Sequence, residues 1–366
     1  MKKVLIFHHC GDIGGAGISL INTVLMLKET YEVVVYSENG PIVDKLLENG
    51  IRVKIYEKPF GAISSYSGSP KICSRTYLKK LLQIFDTNRE IVKIINFEDP
   101  QIVVNNSITT AYVASITKKL NSSIKVVSFI RETFRADVGT KVNIKFLSKY
   151  TDQIFFITKR DLTQYNIQKK EQEVIYNSID LNSINTDDFS IEKEYKEIGE
   201  RGQKFRVLYL GGDSPIKGWS FMKELISKKS PDILFLIAGK CKESITENNA
   251  IFIGVQDSLD ACMFSADVLL FPVAHPHQGR PLFEAGAYKV PVIVPDFDVF
   301  NEAVIENKNG LRYTPFDAKD CLQKINYLKE HPVKLKEMGQ ENWRLTLENH
   351  SFEKNKTKLL SIFNAL

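Results

Sequence analysis

At 366 residues, 43% hydrophobic and 25% charged, the chain has the length for two domains with separate cores and the composition of an ordinary soluble globular protein. No run approaches the ~20 apolar residues of a membrane span, and five scattered cysteines without a Cys-x-x-Cys pair argue for a reducing cytosol and against disulfides or structural zinc. The net charge of +5 is uneven: residues 1–180 hold 25 Lys+Arg against 18 Asp+Glu, and residues 181–366 hold 24 against 26. A basic amino-terminal half is either a solvated, lysine-rich surface or a face for anionic lipid or a lipid-linked phosphate. The absence of an aromatic-interleaved basic motif sets nucleic acid aside.

In chain order, Lys2-Lys3-Val4-Leu5-Ile6-Phe7 imitates the start of a signal peptide. Its apolar run is too short, however, and the loop Gly11-Asp12-Ile13-Gly14-Gly15-Ala16-Gly17 comes next, so a first strand and an apolar helix over 18–27 are expected. That loop is close to the dinucleotide fingerprint without matching it, and Glu38 stands in a turn beside Asn39-Gly40. Further strands are expected at 31–36, 53–56, 102–105, 125–130 and 153–157. A second set is expected at 205–210, 233–238, 250–254, 268–271 and 291–294. Strands alternating with helical segments predict parallel sheets covered by helices. The polar stretch from Ser190 to Lys204 reads as a linker. The expected domains are therefore 1–185 and 200–350, with a helix over 351–366, capped by Ser351, packing back on the first or facing solvent.

Several segments carry groups able to hold a ligand. Asn105, Asn106 and Ser107 come after one strand, and Arg131-Glu132 ends another, with Arg131 placed either to neutralise a phosphate or to form a surface salt bridge. Gly211-Gly212-Asp213-Ser214-Pro215-Ile216-Lys217-Gly218 is a glycine-rich turn with an ammonium at a helix entrance, a combination suited to a diphosphate. The run from Ala274 to Val294 is a polar turn and then a helix opening near Pro281 with Glu284 in its first turn. Asp296-Phe297-Asp298 is the form of a metal-binding Asp-x-Asp, but its place after a strand reads as loop capping. His275 and His277 lack a third metal ligand at a plausible spacing and read as hydrogen-bonding groups.

The run from Ala274 to Val294 resembles the donor-binding segment of retaining GT-B glycosyltransferases, the large family 4 group (glycosyl transferases group 1). Gly279, Pro281 and Glu284 fall on that family's pattern, and Pro276 occupies the place of its first glutamate. The resemblance implies that Glu284 holds the nucleotide ribose and that the sugar contact comes from His275, His277 or Gln278. It implies that Lys217 lies on the donor diphosphate, with Gly212 where the family has an arginine. Gly14 and Gly15 are similar to the family's Gly-Gly loop near the sugar or phosphate. Arg131 stands where the family often has a histidine, so that role is not transferred. The run from Val174 to Asp180 is similar to the family's interdomain turn and reads as a hinge. Ile237-Ala238-Gly239-Lys240, Glu302 and Asn309-Gly310 also match.

The resemblance further implies an α/β fold of two Rossmann-like, doubly wound parallel-sheet domains facing a central cleft. The implied function is transfer of a sugar, with retained anomeric configuration, from a nucleoside diphosphate sugar to a glycan or lipid-linked acceptor. Bacterial surface polysaccharide synthesis, at the inner face of the cytoplasmic membrane, is the implied setting. No cofactor and no metal are called for. A GT-B-fold nucleotide-sugar epimerase, a catalytically weakened nucleotide-binding homologue and a nicotinamide-linked oxidoreductase are the alternatives.

Overall fold

Valine-, isoleucine- and phenylalanine-rich runs bounded by turns form two all-parallel sheets, because strands buried on both faces need apolar side chains at every position. The computed structural model describes residues 1–66, 69–165, 167, 170–184, 204–243, 247–256, 258–277 and 279–366. The first sheet comprises β1 (Lys3–Phe7), β2 (Glu32–Ser37), β3 (Arg52–Ile55), β4 (Ile102–Asn105), β5 (Lys125–Ile130), β6 (Gln153–Phe156) and β7 (Glu171–Val174). Its order is β3-β2-β1-β4-β5-β6-β7. The second comprises β8 (Phe205–Tyr209), β9 (Ile233–Ala238), β10 (Ala250–Gly254), β11 (Val268–Leu270), β12 (Val292–Pro295) and β13 (Gly310–Tyr313). Its order, β10-β9-β8-β11-β12-β13, repeats the doubly wound pattern, so the switch points fall between β1 and β4 and between β8 and β11.

The chain divides into two units, Met1–Ser178 with Phe352–Leu366, and Ile179–Ser351. In the first, alternation along β1 sorts the core. Val4 and Ile6 pack with α1 (Gly15–Leu27), α2 (Pro41–Glu48) and Leu359 and Phe363 of α12 (Phe352–Ala365). Leu5 and Phe7 pack on the other face with α3 (Arg75–Glu98) and α4 (Tyr112–Leu120), beside which run α5 (Val138–Tyr150) and α6 (Lys159–Tyr165). In the second unit, Val207 and Tyr209 face α7 (Trp219–Ser227), α10 (Ala318–Glu330) and α11 (Pro332–Asn349). Leu208 faces α8 (Asp260–Phe264) and α9 (Arg280–Ala287). Two strands were not anticipated, β7 and β13. The expected linker, except for Lys204, and Gln278 lie outside the described residues.

No helix among the described residues is long and apolar enough to cross a membrane.

Candidate functional site

At the switch point of the second unit, the loop after β8 lies flat against its neighbours. Gly212 donates its N–H to Ala238 O (2.9 Å), and Asp213 donates to Lys240 O (3.0 Å). Gly212 has a φ of 54°, and a Cβ there would overlap the Lys240 carbonyl oxygen. Gly218, with a φ of 91°, is pressed equally close to the carbonyl of Pro272. Between these glycines the chain makes a 3-10 turn over Pro215–Lys217, which presents Lys217 beside the loop after β11.

The phenyl ring of Phe271 is the floor of the site. Lys217 Nζ stands 5.8 Å from its centroid, and the His277 ring packs edge-on at 5.8 Å. A Cβ on Gly279 would collide with the same ring, so only glycine lets the chain enter α9 here. No side chain caps α9 at Gly279, and its opening N–H groups favour an anion. Burial lowers the Lys217 pKa, against the opposing pull of the Glu284 carboxylate. Among the described residues Lys217 Nζ has no ion-pair or hydrogen-bond partner.

Glu284 sits in the second turn of α9, not the first as expected, because the helix already begins at Arg280. Its carboxylate accepts from Arg280 Nε at 3.0 Å, with both side chains largely buried. A carboxylate that only complemented the helix dipole would lie in the opening turn and would not need this partner. His277 Nδ1 lies 2.9 Å from His275 O, and a carbonyl can only accept, so Nδ1 carries the proton. Burial lowers the pKa of His277, so the neutral ring presents Nε2 as an acceptor. His275 and Pro276 are exposed.

The first unit has its own polar cluster at the ends of β1, β4 and β5. Gly14 is the extended N-cap of α1, and a Cβ there meets nothing within 4 Å; Gly15 opens the helix. Packing therefore does not demand glycine at 14, whereas Gly11 is held tight against Asn39. Arg131 donates from Nε to Asn106 Oδ1 and from Nη2 to Thr23 Oγ1, both at 2.8 Å, and its guanidinium lies 4.6 Å from the Phe129 ring centroid. Glu132 accepts from Ser107 Oγ (2.6 Å), Ile108 N (3.2 Å) and the backbone N of Arg131 (3.2 Å), while burial holds its pKa up.

His8, His9 and Cys10 form a cluster whose ligand-type atoms all lie within 4.8 Å of one another. The hydrogen bonding opposes a metal on His8. Arg131 fixes the carbonyl end of Asn106, which turns its amide nitrogen toward His8 Nδ1 at 3.1 Å. That nitrogen must accept, so Nε2 keeps its proton and directs it at Cys10 Sγ, 3.3 Å away. Burial pushes the Cys10 thiol up to about 11 and lowers the pKa of both imidazoles.

Thus the structure gathers Lys217, His277, Gly279 and Glu284 at one switch point, with Gly212 packed behind the turn. Arg131, Gly14 and Gly15 belong to the first unit. Sequence reasoning missed Arg280, which the i,i+4 spacing to Glu284 signals, and Phe271, which reads only as the end of an apolar strand.

Residues 190–344 match the family model described as Glycosyl transferases group 1. No curated protein sequence matches the chain. Among solved structures, HepE of Anabaena in complex with UDP is similar at 16% identity and a TM-score of 0.82, covering 100% of both chains. The same protein with UDP-glucose gives 16% identity and a TM-score of 0.80, again over 100% of both chains. A glycosyltransferase from Rickettsia africae ESF-5 is similar at 16% identity and a TM-score of 0.76, covering 100% of this chain and 98% of its own. The chain thus matches the glycosyl transferases group 1 model over residues 190–344 and shares the two-domain Rossmann-like fold of the GT-B glycosyltransferases.

Proposed function

We propose that this chain is a metal-independent, retaining hexosyltransferase that moves a sugar from a nucleoside diphosphate donor to a glycan or lipid-linked acceptor. The proposed setting is bacterial surface polysaccharide synthesis at the inner face of the cytoplasmic membrane. The observation that carries the reading is the ammonium of Lys217, which stands over the same Phe271 ring that Gly279 abuts at the uncapped start of α9 and forms no ion pair among the described residues. Breaking the bond between sugar and diphosphate builds negative charge on the leaving group. A cation and helix N–H groups already in place stabilise that charge without reorganisation. Glu284, steadied by Arg280, suits two ribose hydroxyls. His277 Nε2 suits a sugar hydroxyl, with His275 and Gln278 of the same loop as further sugar contacts. No carboxylate nucleophile is assigned. The acceptor attacks from the face the diphosphate leaves, and a departing phosphate oxygen takes its proton. Gly14, beside which no atom would meet a Cβ, leaves room for a sugar or phosphate at the start of α1, where Gly15 follows it, and Arg131 would reach a phosphate by exchanging its contact with Thr23.

UDP is bound in one of the similar structures and UDP-glucose in another, so UDP-sugars are the first donors to test. UDP or GDP should raise the melting temperature of the full chain. Lys217→Ala should cut turnover about 10²–10³-fold, the loss expected when one charge-stabilising group is removed, with the melting temperature nearly unchanged. Unaltered turnover in that variant sinks the assignment. Donor consumption without an acceptor would point instead to an epimerase, and stabilisation by NAD to an oxidoreductase. A second reading, a nucleotide-binding homologue with weakened catalysis, is favoured by Pro276 and Gly212, which stand where the resembling family has charged side chains. It predicts tight UDP binding with no transfer to any acceptor.

A further inference from the structure

We propose that the outer faces of α3 and α5 form a docking surface for the anionic headgroup layer of a lipid membrane. The helix α3 has 24 residues, and its inward side is spoken for by Tyr77, Thr87, Ile91, Ile94 and Ile95. Its outward side is not polar, as a solvent-facing helix would be. Leu78, Leu82 and Phe85 are 47%, 69% and 73% exposed, and their spacing of four and three residues puts them in one stripe. Arg75, Lys79, Arg89 and Lys93 flank that stripe, all exposed and none in an ion pair among the described residues. The one acid exposed among them, Asp86, is paired with Lys58 at 3.3 Å.

The start of α5 continues this surface. Gly139 lies so close to Tyr77 that a Cβ would stand 3.1 Å from the phenol oxygen, so the first turn of α5 meets the side chain that leaves the first turn of α3, and α4 packs against both helices. Val138 and Val142 are 67% and 38% exposed, and Lys141, Lys145 and Lys149 line the same helix, which contains no acid. Apolar side chains ringed by unneutralised cations match the boundary between acyl chains and anionic headgroups. The apolar part enters the boundary, while the lysine and arginine heads remain at phosphate level. A protein partner would have to supply an apolar groove edged with acids along both helices, and a second copy of this basic face would repel it. The inference gives a place to the lipid-linked acceptor proposed above.

Flotation of the full chain with vesicles tests it without donor or acceptor, so its failure and that of the transferase reading are read separately. Phosphatidylcholine vesicles containing phosphatidylglycerol should capture the chain, phosphatidylcholine alone should not, and salt should release it. Leu82→Glu with Phe85→Glu, and separately Lys79→Glu with Arg89→Glu, should each weaken capture about tenfold or more. All four side chains are exposed, so circular dichroism and melting should match those of the parent. Equal capture by both vesicle types, or variants that bind like the parent, overturns the proposal. So does a dimer in sedimentation velocity that Leu82→Glu dissociates, because a second copy would then own the face.

Discussion

Gly212 shows why a missing side chain need not be a simple loss. The family pattern places an arginine there, yet the backbone has a positive φ and lies against Lys240 O. An arginine would need both a strained conformation and a displaced β9 loop. Gly212→Arg is therefore expected to lower stability by about 1–3 kcal/mol and to leave UDP affinity no better, as urea unfolding and calorimetry would show. Tighter UDP binding at unchanged stability would mean that the turn is malleable and the site merely lacks its second cation. Arg280 teaches the complementary lesson. It supplies positive charge close to Glu284, on a helix instead of a loop, at a position between Gly279 and Pro281 that the quoted pattern does not specify.

Among the elements, α9 is held by α11 through a buried polar seam. Asn342 Nδ2 donates to Val290 O (2.8 Å), and its Oδ1 accepts from Asn309 Nδ2 (3.0 Å). Thr346 Oγ1 donates to Phe283 O (3.2 Å). Gly286 is what lets the helices close, since a Cβ there would overlap Thr346 Oγ1. Gly286→Ala should cost about 1–3 kcal/mol by overpacking despite the better helix propensity of alanine, and should weaken nucleotide binding as α9 shifts. A raised melting temperature would refute this. Most strands were legible because a parallel strand buried on both faces is written as an apolar run. β7, Glu171-Gln172-Glu173-Val174, was not, since an edge strand can be polar. β13 was missed because Gly310-Leu311-Arg312-Tyr313 reads as the tail of a turn. At the candidate site, the resemblance to the family pattern pointed to Lys217 and Glu284, which the fold brings to one switch point. Phe271 beneath Lys217, and the Arg131–Asn106–His8 chain, depend on contacts between distant strands that periodicity does not encode.

Across the whole molecule, the buried histidines set a pH window. Burial, reinforced by Lys80, lowers His9 to about 4, and His8 is lowered well below its ordinary value of 6.5. Between pH 6.5 and 4 the unfolded chain takes up protons that the folded chain refuses. The contribution of both is thus fully present above about 6.5 and is lost as pH falls, for His9 by about 1.4 kcal/mol per pH unit down to about 4. Glu132, with its pKa raised by burial, acts in the opposite sense: its stabilisation is present below its ordinary 4.5 and is lost as pH rises. Urea midpoints should therefore fall from pH 6.5 to 4, and His9→Gln should flatten that slope while leaving the Glu132 contribution in place. A slope identical in the variant would show that His9 titrates normally.

The path of the chain has a further consequence. Phe363 stacks on Phe155 (6.2 Å between centroids), Tyr31 Oη donates to Asn364 Oδ1 (2.6 Å), and Lys358 Nζ reaches Val174 O (3.0 Å). The unit begun by Met1 is thus finished by residues that come after the whole of the other unit in sequence. During translation, Tyr31 and Phe155 wait without their α12 partners until that helix emerges from the ribosome, so the packing of the lobe started first is completed only after the other lobe has been made.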